Sequence, residues 1–230
     1  MTQTTNIFRN IPSLMLILPM IATKTAGFVL VPKLFRGPAA YSCRAFGSAK
    51  PARTIHNSIS ATADPRAEFK KLVRVGTNPP LLGLFLTTAS PFIAELVAVS
   101  QTYDFLVVDA QHSPLDADAV GRMLTAISAA SAATLAPATP AIVRVSGPAD
   151  RNGIQQALDF GAYGVLVPTV KTADDARMAA DAAFYPPLGS RSTAFPVRAS
   201  FGRRGPVHLD TRGANDGAAL MLQVETAACV

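Results

Sequence analysis

Phe105-Leu-Val-Val-Asp109-Ala-Gln-His112-Ser-Pro114 is the stretch that decides the fold. Phe105, Leu106, Val107 and Val108 run without a polar interruption and stop at an acid. A strand apolar on both sides is one buried on both faces, as in a parallel sheet covered by helices. The polar residues that follow then lie at the strand's C-terminal end, where parallel α/β barrels gather their chemistry.

Working outward, comparable apolar runs occupy 81–86, 141–145, 164–168 and 220–224. Helical spacing fills the gaps. An entry helix is expected over 67–75, and Ser90-Pro91 opens a second with Phe92, Ile93, Leu96 and Val97 as its apolar face. Asp116 caps a third, with Val120, Met123, Leu124 and Ile127 at i, i+3, i+4, i+7, and the alanine-rich stretch 126–141 reads as that helix's end plus a variable linker. Ile154, Ala157 and Leu158 face a fourth helix that stops at Gly161. Thr172 and Asp175 form a capping box for an Ala/Met-faced helix ending before Tyr185-Pro-Pro. The stretch 186–217 reads as a long loop.

This alternation predicts an α/β fold of the (β/α)8 TIM-barrel type. It is incomplete: about five of the eight strand–helix units of such a barrel fit the chain. The polar residues at strand ends are Asp109, Arg144, Pro168/Thr169, Gln223 and Glu225. No glycine-rich phosphate loop follows any strand, which argues against a nucleotide-binding doubly wound sheet.

The net charge of +6 suggests nucleic acid, but its distribution excludes that partner. Seven of the 21 basic residues precede the first acid, Asp64, leaving 14 against all 15 acidic ones. Residues 1–62 therefore read as a basic leader and 63–230 as a balanced domain. The acid-free, Arg- and Ser/Thr-bearing leader is expected to be a mitochondrial presequence, with Arg53-Thr54-Ile55-His56-Asn57-Ser58 placing a mature start near Ala63. Cytoplasmic residence, a secretory signal over the apolar residues 10–23, and a partly non-coding leader are the alternatives. That apolar stretch is short for a membrane span and carries Pro12 and Pro19, so no membrane contact is expected of the mature form. Two cysteines, Cys43 and Cys229, supply no disulfide framework.

Further segments make the reading specific: Val143-Arg144-Val145, Ala157-Leu-Asp-Phe-Gly161-Ala162, Gly164-Val-Leu-Val-Pro168, Tyr185-Pro-Pro-Leu-Gly189-Ser-Arg191 and Gln223-Val-Glu225-Thr226. With the opening stretch, and in this order, they resemble the HpcH/HpaI family of metal-dependent pyruvate aldolases, in the phosphoenolpyruvate/pyruvate barrel superfamily. The resemblance implies reversible retro-aldol cleavage of a 4-hydroxy-2-oxo acid to pyruvate, or a related 2-oxo acid, and an aldehyde. It implies a divalent metal (Mg²⁺, Mn²⁺ or Co²⁺) acting as a Lewis acid rather than a lysine Schiff base. A small 2-oxo acid is the implied partner, with a homo-oligomer where the full barrel is present.

Under the resemblance, His112 matches the general base, which takes the 4-hydroxyl proton through metal-linked water. Asp109 matches the partner that holds its tautomer. Arg144 matches the arginine that contacts the oxo-acid end and stabilises enolate charge. Glu225 matches a metal carboxylate, and Gln223 a polar residue near metal and substrate. Asp159 is assigned to the helix–Gly161 turn, Tyr185 to Arg191 to loop structure, and Arg198, Arg203, Arg204 and Arg212 to solvated or interface surface. Two departures stand out. Gln111 occupies the place where the family usually has glutamate, and a second metal carboxylate is expected beyond Glu225, so the chain reads as C-terminally truncated. Two alternatives follow: a catalytically incompetent fragment or pseudoenzyme subunit, and an acyl-CoA lyase of the citrate-lyase type.

Overall fold

The structure, a computed structural model, describes residues 14–17, 28–29, 64–77, 79–134, 138–193, 198 and 210–225. In chain order the elements are β1 (Leu14–Ile17), β2 (Phe28–Val29), α1 (Pro65–Val75), β3 (Leu82–Leu86), α2 (Pro91–Val99), β4 (Phe105–Asp109), α3 (Ala117–Thr134), β5 (Ala141–Arg144), α4 (Arg151–Asp159), β6 (Gly164–Val167), α5 (Ala173–Ala183), α6 (Thr211–Gly217) and β7 (Ala219–Gln223). The sheet order is β1-β7-β6-β5-β4-β3-β2. The five expected strands, β3 to β7, are present and pair in parallel. Two further strands border them: β1 runs parallel to β7, and β2 antiparallel to β3. Apart from β1 and β2, the expected leader and its cut near Ala63 lie outside the described residues, as do Cys43, Cys229, Arg203 and Arg204.

Period-two alternation divides the sheet's side chains between two cores. Leu106 and Val108 of β4, Val143 of β5, Val165 and Val167 of β6, and Leu220 and Leu222 of β7 pack under α2–α5. Phe105, Val107, Ile142, Leu166, Ala219 and Met221 face the other way, against Phe69 and Val73 of α1. Helix α1 thus plugs the inner face near the strands' N-terminal ends, where Phe69 meets Phe105 and Tyr163 with ring centroids 6.0 and 5.8 Å apart. Asp109 follows Val107 by two residues, Arg144 follows Ile142, and Gln223 follows Met221. The same alternation therefore turns all three toward the inner face, at the opposite end from the plug.

Local chemistry explains the helix limits. Asp64 and Ser90 accept N–H bonds from Arg66 and Ile93 and precede a proline at the first helical position. The expected capping box on α5 is present, and Gly161 leaves α4 at φ 98°, a conformation that favours glycine.

Three expectations are corrected. Helix α2 buries Ala94 and Ala98, while Phe92, Ile93 and Leu96 are exposed. Apart from Glu95 its sequence is apolar, so spacing selects no single face, and the small alanines allow the closest approach to the layer beneath. On α5 the alanines are buried and Met178 is exposed. The 186–217 loop contains α6, whose Thr-Arg-Gly-Ala-Asn-Asp-Gly sequence has no apolar period to announce it. The alanine-rich stretch, by contrast, supplies the helix end expected of it, as far as Thr134.

Asn215 of α6 shows why so polar a helix is retained. Its side chain accepts from Tyr185 N–H at 2.8 Å and donates to Tyr185 C=O at 3.0 Å, in the manner of one rung of a strand pair. Tyr185 is wholly buried, and Arg191 stacks 4.6 Å from its ring centroid while pairing with Asp159. The Tyr185–Arg191 loop is structural, as expected. Asp159, assigned to the turn at Gly161, instead neutralises Arg191, a buried guanidinium that needs a counter-charge.

Gly164 shows how tightly β6 and β7 pack. It sits opposite Ala219, and a Cβ placed on it would lie 2.2 Å from the Ala219 carbonyl oxygen, which belongs to backbone and cannot swing away. Gly164→Ala is expected to destabilise the fold by about 1–3 kcal/mol. Urea unfolding should show a lower midpoint with an unchanged slope.

Candidate active site

Arg144 ends β5 and Asp109 ends β4, and the parallel register sets them directly opposite each other. Arg144 Nε donates to Asp109 Oδ1 at 2.8 Å and Nη2 donates to Oδ2 at 2.6 Å, a two-pronged fork. The Phe85 ring of β3 lies beneath the guanidinium, 4.9 Å from centroid to Cζ. Asp109 is 1% exposed and the Arg144 side chain 12%. An inward arginine on a parallel strand is tolerable because it has this partner.

Asp109 also accepts the backbone N–H groups of Gln111 at 3.1 Å and His112 at 3.3 Å. Burial alone would push its carboxyl up. The Arg144 bonds and charge and the two N–H donors outweigh that and hold it below the usual carboxylate range. The expected role of Asp109, holding the His112 imidazole, is not what the geometry shows: its partners are the Arg144 guanidinium and backbone N–H groups. The cross-strand arginine at the same register captures both oxygens first. Asp109 therefore shapes the loop that presents His112, and the His112 side chain stands exposed at the rim.

Across the sheet, Gln223 and Glu225 end β7. Gln223 is 5% exposed. Its Nε2 donates to Glu225 Oε2 at 3.3 Å, and its Oε1 is buried with no hydrogen-bond partner among the described residues. Buried and equally unpartnered are Gln111 Oε1 and Ser113 Oγ in the loop after β4. Orphaned polar atoms of this kind call for a ligand or water. Glu225 Oε1 accepts the backbone N–H of Thr169 at 2.8 Å. Thr169 follows β6 with φ 55°, an outlier for a β-branched residue that costs on the order of 1–3 kcal/mol.

The structure thus brings Asp109 and Arg144 into contact, joins Gln223 to Glu225, and sets all of them with His112 at the C-terminal ends of β4, β5 and β7. Phe85 is the addition, and Thr169, a strand-end residue in the sequence, gains Glu225 as its partner. Phe85 reads as plain core in the sequence; the one signal was its step of two residues from Gly83. A cavity of about 220 Å³ between α3 and α4, lined by Val145, Ser146, Asp150, Gln156 and Phe160 among others, opens on the helix side of the sheet, away from this cluster.

Glu225 and Gln223 offer oxygen to a cation. Among the described residues, however, no group of three or more His, Cys, Asp or Glu side chains converges. All 15 carboxylates of the chain fall within those residues. Mg²⁺ and Mn²⁺ prefer about six oxygen donors. The described side chains alone do not complete such a shell, because Asp109 is already committed to Arg144.

Comparison with known proteins adds an independent line. The sequence profile of the HpcH/HpaI aldolase/citrate lyase family matches residues 81–230. A 4-hydroxy-2-oxovalerate aldolase of Novosphingobium aromaticivorans is 38% identical over 166 residues, 72% of this chain and 58% of that protein. A hydroxypyruvate/pyruvate aldolase of Sagittula stellata is 37% identical over 162 residues, 70% of this chain and 59% of that one. The crystal structure of an HpcH/HpaI aldolase/citrate lyase family protein from Burkholderia cenocepacia J2315 superposes with a TM-score of 0.55 at 34% identity, covering 64% of this chain and 55% of that one. The chain thus spans between a half and three-fifths of these relatives' lengths.

The fork makes a stability prediction. Asp109→Ala leaves a nearly buried guanidinium without a counter-charge, at an expected cost of about 3–5 kcal/mol. Replacing both partners, as in Asp109→Ala/Arg144→Met, should recover much of that loss. Because folding lowers the Asp109 pKa, its contribution is complete above the unfolded value, near pH 4, and is lost as pH falls through the folded value. Urea midpoints measured from neutral pH downward should therefore fall less steeply for Asp109→Ala than for the wild type.

Proposed function

The chain belongs to the HpcH/HpaI aldolase/citrate lyase family, and we propose that it carries the 2-oxo-acid site of an aldolase cleaving a 4-hydroxy-2-oxo acid. The observation that carries this reading is the Arg144 guanidinium, fixed by Asp109 and seated on Phe85, with its remaining N–H donors uncommitted among the described residues. A rigid, permanently charged fork suits a carboxylate and a neighbouring oxyanion together. The substrate classes in the two relatives' names, hydroxy-oxo acids and pyruvate, support the same choice.

In this reading the carboxylate and 2-oxo group of the substrate lie against Arg144. His112, at the rim, takes the proton of the 4-hydroxyl. The C3–C4 bond breaks, C4 leaves as the carbonyl carbon of the aldehyde, and the electron pair passes into the C2–C3 enolate of pyruvate. Arg144 stabilises the negative charge on the enolate oxygen. Protonation at C3 then releases the 2-oxo acid. Gln223 Oε1 and the Gln111 and Ser113 side chains are the polar atoms left to receive substrate or water.

The family implies a divalent cation, which as a Lewis acid would polarise the 2-oxo oxygen. Since the described side chains do not complete its oxygen shell, no step is assigned to it. The same observation favours a second reading, a catalytically incompetent member that works only with a complete relative.

Pyruvate release from a 4-hydroxy-2-oxo acid by the full 230-residue chain, with and without Mg²⁺ or Mn²⁺, separates the two. Turnover is expected, falling at least about 100-fold in His112→Ala and in Arg144→Lys, which loses the fork. A soluble, folded chain that releases no pyruvate with either ion overturns the first reading in favour of the second.

A further inference from the structure

The reaction above leaves Thr169 without a part. It is exposed at the end of β6, so no packing demand explains its identity, yet it holds φ 55°. Glycine would make this turn without strain. Strain kept at an exposed threonine points to a task other than turning the chain.

The backbone N–H of Thr169 donates at 2.8 Å to Oε1 of Glu225, 56 residues further on. The left-handed turn lets the chain leave β6 for α5 while this N–H still faces the end of β7. Glu225 is exposed, and its other oxygen has only the longer 3.3 Å bond from Gln223. The Thr169 N–H is thus the shorter of the two restraints on the carboxylate's orientation. A backbone donor also survives changes of side chain, provided the turn is kept.

We propose that Thr169 is a positioning residue, whose N–H, presented by the left-handed turn, sets the direction of the Glu225 carboxylate at the site. This rests on the reading of Glu225 as a site residue. It assigns the strain to orientation rather than stability, since a hydrogen bond at so exposed a place adds little to folding.

Two measurements on the full chain test it. Amide hydrogen exchange at Thr169 should be slowed about tenfold or more in the wild type, and that protection should vanish in Glu225→Ala with melting unchanged. In an active chain, Thr169→Asn, which tolerates the left-handed region, should keep wild-type turnover. Thr169→Gly, which frees the turn, should lower kcat about three- to tenfold with KM and melting temperature preserved. Equal kcat for the glycine and asparagine variants, or exchange indifferent to Glu225→Ala, overturns the proposal. Absent turnover with protection intact would instead overturn the aldolase reading and leave the Thr169–Glu225 bond in place.

Discussion

The pairing of Asp109 with Arg144 is the constraint on which the site end of the sheet depends. It works because of three conditions met together. The β4–β5 register sets the two residues side by side. The pleat turns both to the inner face. Neither charge could stay there alone, since an unpaired ion at such burial costs several kcal/mol. Once formed, the pair does more than neutralise itself. The carboxylate gathers the N–H groups of Gln111 and His112, so the loop leaving β4 is bent by the same group that fixes the arginine. A rigid guanidinium and a defined loop are thereby one structural event rather than two.

A second frame holds the outside of the domain. Arg191 is stacked on Tyr185 and paired with Asp159, Asn215 grips the Tyr185 backbone, and Arg151 ties α4 to Asp181 and Ser190. Two buried or half-buried arginines, each with an aromatic ring and a carboxylate, recur in this chain. Arg144 has Phe85 and Asp109, and Arg191 has Tyr185 and Asp159. The arrangement satisfies the charge at one edge of the guanidinium and covers its face with apolar surface, which is how so hydrophilic a group is accommodated under cover.

Much of this was legible in the sequence. Continuous apolar runs mark the five parallel strands because burial on both faces leaves no room for a polar alternation, and the capping residues Ser90, Thr172 and Asp175 announce their helices. The positions of His112, Asp109, Arg144, Gln223 and Glu225 at strand ends could be read as well. What could not be read was who binds whom. That Asp109 prefers Arg144 over His112 depends on inter-strand register, which no single strand reveals. The Asp159–Arg191 pair joins residues 32 apart across a loop. Helix α2 defeats a periodicity argument because, Glu95 apart, every face is apolar, and α6 defeats it because none is.

The alternation of faces along each strand also decides where the chain can change length. Among the described residues, the fork's hydrogen-bond partners come from β4, β5 and the loop after β4 and none from α3, so additions or losses between α3 and β5 would lengthen or shorten a connector and leave the fork intact. A single residue gained between Ile142 and Arg144 would rotate the arginine to the helix side, among Val143 and Val165, and strand Asp109 without its partner. Variation in length among relatives of this chain should accordingly collect in the connectors and stop abruptly at the strands.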